Sequence, residues 1–338
     1  MKFLVTGGCG YIGSHTIVDL LEKGHEVVSI DNYENCFTSV LEGIQEITGK
    51  RVKNYDVDLC DLNATQEVFN KESDIQGIIH FAAKKYVNES VEKPLDYYHN
   101  NIEGLINVLS CCKQFNIKHL VFSSSCSVYG NSTELPVHEE VELAKPESPY
   151  AHTKLIGEQL IKDFIKTCPL KVTLLRYFNP IGTHKSLHIG ERAKQASPNL
   201  MPRIIGTALG QYESFEIAGS DYPTTDGTCV RDYIHVMDIA DAHTKAVKWL
   251  VAETDESICE VFNLGSGNGV SVLEMVKAFE RANQLKLNYK LSSRREGDVV
   301  AIYADNSKAK KVLAWNPQYS LEEMMRSAWE WDKKVNSQ

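Results

Sequence analysis

The chain has 338 residues, 43% of them apolar, and a net charge of −9 with acidic and basic residues interspersed. At about 100 to 200 residues per domain this length suggests two lobes, and the mixed, net-negative charge offers no basic stripe for a nucleic-acid backbone. No apolar run is long enough for a membrane span, no signal-peptide core precedes the first glycines, and the nine cysteines form no CxxC pair, so a cytoplasmic protein without disulfides, zinc site or membrane partner is expected.

In chain order, Lys2 to Thr6 predicts a strand, Gly7 to Gly13 a glycine-rich turn, and Tyr11 to Lys23 a helix stopped by Gly24. Short apolar runs at Glu26 to Ile30, Val52 to Tyr55, Gly77 to Phe81, His119 to Ser123 and Lys171 to Arg176 predict further strands. Helix-length amphipathic stretches separate them, among them Pro94 to Phe115 and Ser148 to Lys166. This alternation predicts an α/β chain on a doubly wound (Rossmann) parallel sheet with right-handed crossovers. From Asn179 onward prolines and glycines punctuate shorter elements, which predicts a smaller C-terminal substrate-binding α/β lobe. The expected division is 1–178 for the Rossmann domain and 179–338 for the second lobe. Tyr233 to Leu250 reads as helix over much of its length, and Val261 to Leu264 as a strand returning to the first sheet, so parts of 230–265 are expected to rejoin it.

Gly8, Gly10 and Gly13 fit G-x-G-x-x-G between a strand and a helix. In that context bare glycines let the backbone approach a pyrophosphate, and the helix start aims unpaired N–H groups at the phosphates. Asp31 ends the second apolar run, eighteen residues beyond Gly13, and no Lys or Arg lies between it and Phe37. A carboxylate there accepts hydrogen bonds from a ribose diol and repels a 2′-phosphate, which favours NAD over NADP. A turn role is the alternative for Asp31, and a helix N-cap the alternative for Asp58 at the close of the third run. Tyr150 and Lys154, four residues apart in a predicted helix, share a face downstream of the hydroxyl cluster Ser123-Ser124-Ser125. Bringing a tyrosine from a pKa of about 10 to near neutrality takes on the order of 4 kcal/mol. An ammonium some 5 Å away supplies roughly 3 kcal/mol at an effective dielectric of about 20, so Lys154 is expected to activate Tyr150. His184 and His188 sit in a Gly-rich stretch without metal-ligand spacing, and no metal is expected.

The glycine turn, the serine cluster and the Tyr150/Lys154 pair together resemble the extended short-chain dehydrogenase/reductase family. Gly7 to His15, Ser123 to Gly130, Arg176 to Pro180, Arg231 to Val236 and Arg294 to Asp298 look like its nucleotide-sugar 4-epimerases. The resemblance implies reversible C4 epimerisation of UDP-galactose and UDP-glucose through a 4-keto sugar, by transient hydride transfer to tightly bound NAD, with Tyr150 as base. It implies a catalytic group of Ser125, Tyr150 and Lys154. It implies an NAD site from Gly7, Gly10, Tyr11, Ile12, Gly13, Asp31, Asn32, Asp58, Leu59, Phe81, Lys85, Asn100 and Phe178. It also implies a UDP-hexose site from Asn179, Asn199, Leu200, Glu216, Ile217, Ala218, Arg231, Arg295 and Asp298, with Arg231 and Arg295 clamping the diphosphate. Related 4,6-dehydratases place Asp-Glu where this chain has Cys126-Ser127, so the acid and base of an elimination are missing; a non-catalytic NAD sensor would need neither Tyr150 nor Lys154. Ile302 takes a wall position that is often tyrosine in epimerases restricted to plain hexoses and smaller in those accepting N-acetylated sugars, which leaves UDP-N-acetylglucosamine and UDP-N-acetylgalactosamine open as substrates. The family dimerises through a four-helix bundle on the helices at Pro94 to Phe115 and Ser148 to Lys166, so a homodimer is expected.

Overall fold

Continuous apolar runs can be satisfied only by strands covered on both faces, and that requirement organises the first half of the chain. The computed structural model describes residues 1–195, 199–294 and 298–337. Strand β1 (Lys2–Thr6), helix α1 (Tyr11–Glu22), β2 (Glu26–Ile30), α2 (Ser39–Thr48), β3 (Lys53–Tyr55), α3 (Leu62–Lys71) and β4 (Gly77–His80) follow one another. Then come α4 (Val87–Glu92), α5 (Pro94–Tyr98), a π-helical turn at His99–Glu103, α6 (Gly104–Gln114), β5 (His119–Ser125), α7 (Pro149–Phe164) and β6 (Lys171–Tyr177). The second half holds β7 (Asn179–Ile181), α8 (Leu200–Ala208), β8 (Phe215–Ala218), β9 (Val230–His235), α9 (Val236–Ala252), β10 (Ile258–Leu264), β11 (Gly269–Ser271), α10 (Val272–Asn283), β12 (Tyr289–Ser292), β13 (Ala301–Ile302), α11 (Ser307–Leu313) and α12 (Leu321–Asn336).

The main sheet is seven-stranded in the order β10-β6-β5-β4-β1-β2-β3, every pair parallel. Its order reverses between β1 and β4, the topological switch point outside which doubly wound sheets bind ligands. Ile17, Leu20, Val247 and Trp315 cover one face, and Leu105, Val108, Leu109 and Ile161 the other. A third core, with Ile204, Ile217, Phe279 and Met325, fills the second lobe. Its sheet has β9 at the centre, paired with β7, β11 and β13, while β8 pairs with β12.

Two helix expectations change. Tyr233 to His235 is strand, not helix: Asn179, Pro180 and Ile181 pair with Tyr233, Ile234 and His235, and the buried aromatic and β-branched side chains suit a pleat better than a helix start. The helix begins at Val236, capped by the His235 ring, which accepts the Met237 N–H at 3.1 Å. The stretch from Pro94 to Gln114 is helical but broken by the π-helical turn. The strand read at Val261 to Leu264 runs from Ile258 and pairs along the whole of β6, because the chain returns from the second lobe to the sheet's far edge. No described helix is long and apolar enough to cross a membrane, and among the described residues no His/Cys/Asp/Glu cluster could hold a metal ion.

Candidate active site

A cavity of about 1010 Å³ opens beyond the carboxyl ends of the central strands and is lined by both lobes. Its floor on the Rossmann side is the glycine turn. Gly7 has φ +69°, and a side chain there would put Cβ 2.7 Å from the Ala82 nitrogen; at Gly13 a Cβ would lie 2.2 Å from the Gly7 carbonyl oxygen. Only glycine permits this approach of turn, helix and β4 loop. Gly10 caps α1 without a side-chain hydrogen bond, so first-turn N–H groups beside Tyr11 and Ile12 face a cavity suited to an anionic diphosphate.

Asp31 and Asn32 line the next stretch of wall. The Asp31 carboxylate accepts the Cys9 N–H at 3.0 Å, the Tyr33 N–H at 2.9 Å and the Cys36 thiol at 3.3 Å, so it shapes the turn as well as facing the cavity. Asp58 and Leu59 lie nearby. Asp58 accepts the Cys60 N–H at 2.9 Å, while the N-cap of α3 is Asp61, which accepts the Ala64 N–H at 3.0 Å. Phe81, Lys85, Asn100 and Phe178 also line the cavity. Asn100 sits on the π-helical turn, whose neighbour Asn101 bonds the Lys84 backbone and the Thr153 hydroxyl at 3.0 Å. That turn therefore ties the Lys84–Lys85 loop to α7, a use typical of π-helical insertions.

Ser148 and Pro149 decide where α7 begins. The Ser148 hydroxyl accepts the Ala151 N–H at 3.2 Å and proline takes the first helical position. Tyr150 and Lys154 then fall one turn apart on the face that lines the cavity, opposite Ser125 at the end of β5. Lys154 is 5% exposed and donates to the Ser123 carbonyl at 2.7 Å, 5.1 Å from the Phe122 ring centre. Burial pushes the Tyr150 phenol up to about 12, against a hydrogen bond from Ser125 that favours the phenolate. Burial also brings Lys154 down to about 8, against the pull of Glu158. In the ligand-free cavity, burial is the largest influence on both side chains and opposes the charged form of each.

On the opposite wall, Asn179 donates to the Asp232 carbonyl at 2.8 Å, and Asn199 and Leu200 stand at the start of α8. Strand alternation splits the β8 expectation: Glu216 and Ala218 line the cavity, whereas the Ile217 side chain is fully buried in the second-lobe core. Arg231 lines the cavity, held by the Val299 carbonyl at 2.6 Å, the Val230 carbonyl at 2.9 Å and Asp298 at 3.6 Å. Arg295 lies outside the described residues. His184 and His188 are engaged with Ser186 and Glu46.

The sequence reading omitted Tyr177, whose hydroxyl bonds the Ser123 hydroxyl beside the cavity, although the Arg176 to Pro180 motif contains it. It also gave the segment from Gly182 to Gln195 no part in the site. Tyr11 donates to the Gly182 carbonyl, Glu191 pairs with Lys85 at 3.2 Å, Arg192 lies 4.3 Å over the Phe37 ring, and Lys194 donates to the Tyr33 carbonyl at 2.6 Å. No local pattern announces these ties, since each joins residues far apart in sequence.

A Rossmann sheet whose glycine turn shares one cavity with a Ser-Tyr-Lys group defines an extended short-chain dehydrogenase/reductase. The family model for GDP-mannose 4,6 dehydratase matches residues 4–328. The UDP-glucose 4-epimerase of Pasteurella multocida is 45% identical over 335 residues, 99% of this chain and 98% of that protein. The chain belongs to the UDP-glucose 4-epimerase family. The structure of the Stenotrophomonas maltophila UDP-glucose 4-epimerase with bound NAD and formylated UDP-arabinopyranose superposes with TM-score 0.96 at 40% identity, covering 100% of this chain and 99% of that one. The Bifidobacterium longum enzyme in complex with NAD+ and UDP gives 0.94 at 42% identity, covering 99% of each chain.

Proposed function

We propose that this chain interconverts UDP-galactose and UDP-glucose by inverting C4 through a 4-keto sugar, with NAD retained throughout. The observation that carries this reading is the meeting of Ser125, Tyr150 and Lys154 with the Gly7 to Gly13 turn and Arg231 around one cavity. When bound, NAD supplies a reversible two-electron oxidation at the sugar C4. Gly7, Gly10, Tyr11, Ile12 and Gly13 would hold its diphosphate and Asp31 with Asn32 its adenosine ribose, with Asp58, Leu59, Phe81, Lys85, Asn100 and Phe178 completing the site. Tyr150 removes the 4-hydroxyl proton and later returns it. Lys154 and Ser125 favour the phenolate, more strongly once ligands exclude water.

Asn179, Asn199, Leu200, the β8 strand, Arg231 with Asp298, and Arg295 would anchor the UDP, leaving the hexose free to present either face. The ties from Glu191, Arg192 and Lys194 to Lys85, Phe37 and Tyr33 support retention of the dinucleotide. We assign residues 1–178 with parts of 230–265 to the dinucleotide and 179–338 to the nucleotide sugar. A homodimer is supported by Val91, Leu95 and Ile106 on α4 to α6, which are 61%, 79% and 45% exposed; a monomer in sedimentation at micromolar concentration excludes it. Nine free thiols fit a reducing cytoplasm. In the deciding experiment, purified protein is incubated with UDP-galactose without added cofactor and the epimers are separated. UDP-glucose is expected; no epimer, or a need for stoichiometric added NAD, overturns the reading. The same incubation with UDP-N-acetylgalactosamine decides whether Ile302, buried in the cavity wall, admits the larger sugar.

A further inference from the structure

Ser125 is constrained by a single residue two positions on. Its hydroxyl caps the 3-10 turn Cys126–Tyr129 by accepting the Ser127 N–H at 3.2 Å, and it also accepts the Ser127 hydroxyl at 2.9 Å. A serine oxygen has two acceptor lone pairs and one proton to donate. With both lone pairs taken, Ser125 can offer the cavity only its O–H, and Tyr150 is the partner that faces it. The Cys126 thiol is also within reach of this proton, but sulfur accepts weakly. The backbone half of the constraint comes with the turn. The hydroxyl half belongs to Ser127 alone.

Resting on the function proposed above, we propose that Ser127 is a positioning residue that fixes Ser125 as a hydrogen-bond donor to the Tyr150 oxygen and bars it from relaying the substrate proton. A relay would need Ser125 to accept the 4-hydroxyl proton while releasing its own, and no lone pair is free to do so. The O4–H bond therefore breaks as a Tyr150 Oη–H bond forms, with the Ser125 O–H intact. Loss of the Ser127 hydroxyl frees one lone pair. Ser125 can then accept from the neutral phenol, which stabilises the wrong protonation state.

The test compares Ser127→Ala and Ser127→Thr with the parent, all as holoenzyme. One measurement is ultraviolet titration of the phenolate with Tyr150→Phe as blank; the other is kcat and KM against pH. The other groups facing Tyr150 are Lys154 on its own helix, Cys126 on the turn, Tyr177 of β6 and Tyr97 of α5, and these stay the same in all three proteins. Ser127→Ala is expected to raise the Tyr150 midpoint by about 1 pH unit and to lower kcat below it on the order of tenfold with KM unchanged, the scale of one charge-assisted hydrogen bond. Ser127→Thr is expected to restore both. A midpoint unmoved in Ser127→Ala, or a threonine variant as impaired as alanine, overturns the proposal. The titration needs no turnover: a Ser127-dependent midpoint in a chain without epimerase activity sinks the proposed function and keeps the positioning role, while activity with an unmoved midpoint does the reverse.

Discussion

Tyr150 must ionise where burial opposes ionisation. Its phenol is held up to about 12 and the neighbouring Lys154 is brought down to about 8, burial being the largest cause for each. Both shifts work against the pair until ligands fill the cavity, when each remaining charge interaction strengthens in the drier surroundings. Replacing Tyr150 with Phe keeps the ring and removes only the base. Nucleotide-sugar binding, read by calorimetry, is expected to stay within a factor of about 2, while turnover falls roughly 10²- to 10⁴-fold, the usual contribution of a positioned acid–base group. Near-normal turnover would refute Tyr150 as the base. At this scale the sequence was most informative where chemistry demands a fixed spacing: glycines at the turn, an i,i+4 phenol and ammonium, a carboxylate closing β2. It gave no role to Tyr177 and read Ser127 only as the absence of a dehydratase carboxylate, because a tyrosine in a strand or a serine in a turn acquires a role only from the atoms that surround it.

At the level of elements, the site depends on how α7 is fastened to the sheet. Tyr150, Lys154 and Glu158 stand at successive turns of one helical face. Glu158, 1% exposed, receives Arg176 through two hydrogen bonds at 2.8 and 2.6 Å and the Ser124 hydroxyl at 2.6 Å. Ser124 and Arg176 are register partners on β5 and β6, so one carboxylate clasps both strands beneath the catalytic face. A buried pair of this kind gains little over an apolar substitute, but removing one partner strands a charge and costs about 3–5 kcal/mol. Glu158→Ala should therefore lower the free energy of unfolding by that amount, read as a lower urea midpoint with an unchanged m-value; a loss below about 1 kcal/mol would mean that the guanidinium finds water. Sequence periodicity placed Glu158 in a helix and Arg176 in a strand, yet their union depends on strand register, which periodicity does not encode. The same limit explains Tyr233 to His235, read as helix because the apolar spacing continues smoothly into α9. Pairing with β7 decided otherwise.

Across the whole molecule, two sets of buried groups pull stability in opposite directions with pH. Burial lowers His15 and His80 to about 3, and His235 and His243 to about 4. These rings stay neutral in the folded chain while the unfolded chain protonates them below about 6.5, so their contribution is complete above that pH and is lost as pH falls. Burial acts oppositely on carboxyls, raising Asp332 to about 7 with help from Glu191, and Asp238 to about 6 against two backbone N–H bonds. They keep protons that the unfolded chain has released above about pH 4, so folding takes up protons and stability from this source rises as pH falls. Between pH 7 and 5 the histidines cost roughly 2 kcal/mol each, about 8 in all, against about 4 regained from the two carboxyls. Among these six groups the histidines win by roughly 4 kcal/mol, so urea unfolding should show a loss of stability over that interval. Asp332→Asn removes most of the opposing contribution, so it should stabilise the chain at pH 8 and steepen the loss on acidification. A stability that climbs toward pH 5 would mean that the histidines are not held neutral in the folded chain, and an asparagine variant whose profile parallels the parent's would mean that Asp332 is ionised there and that its surroundings beside Glu191 are wetter than the packing implies.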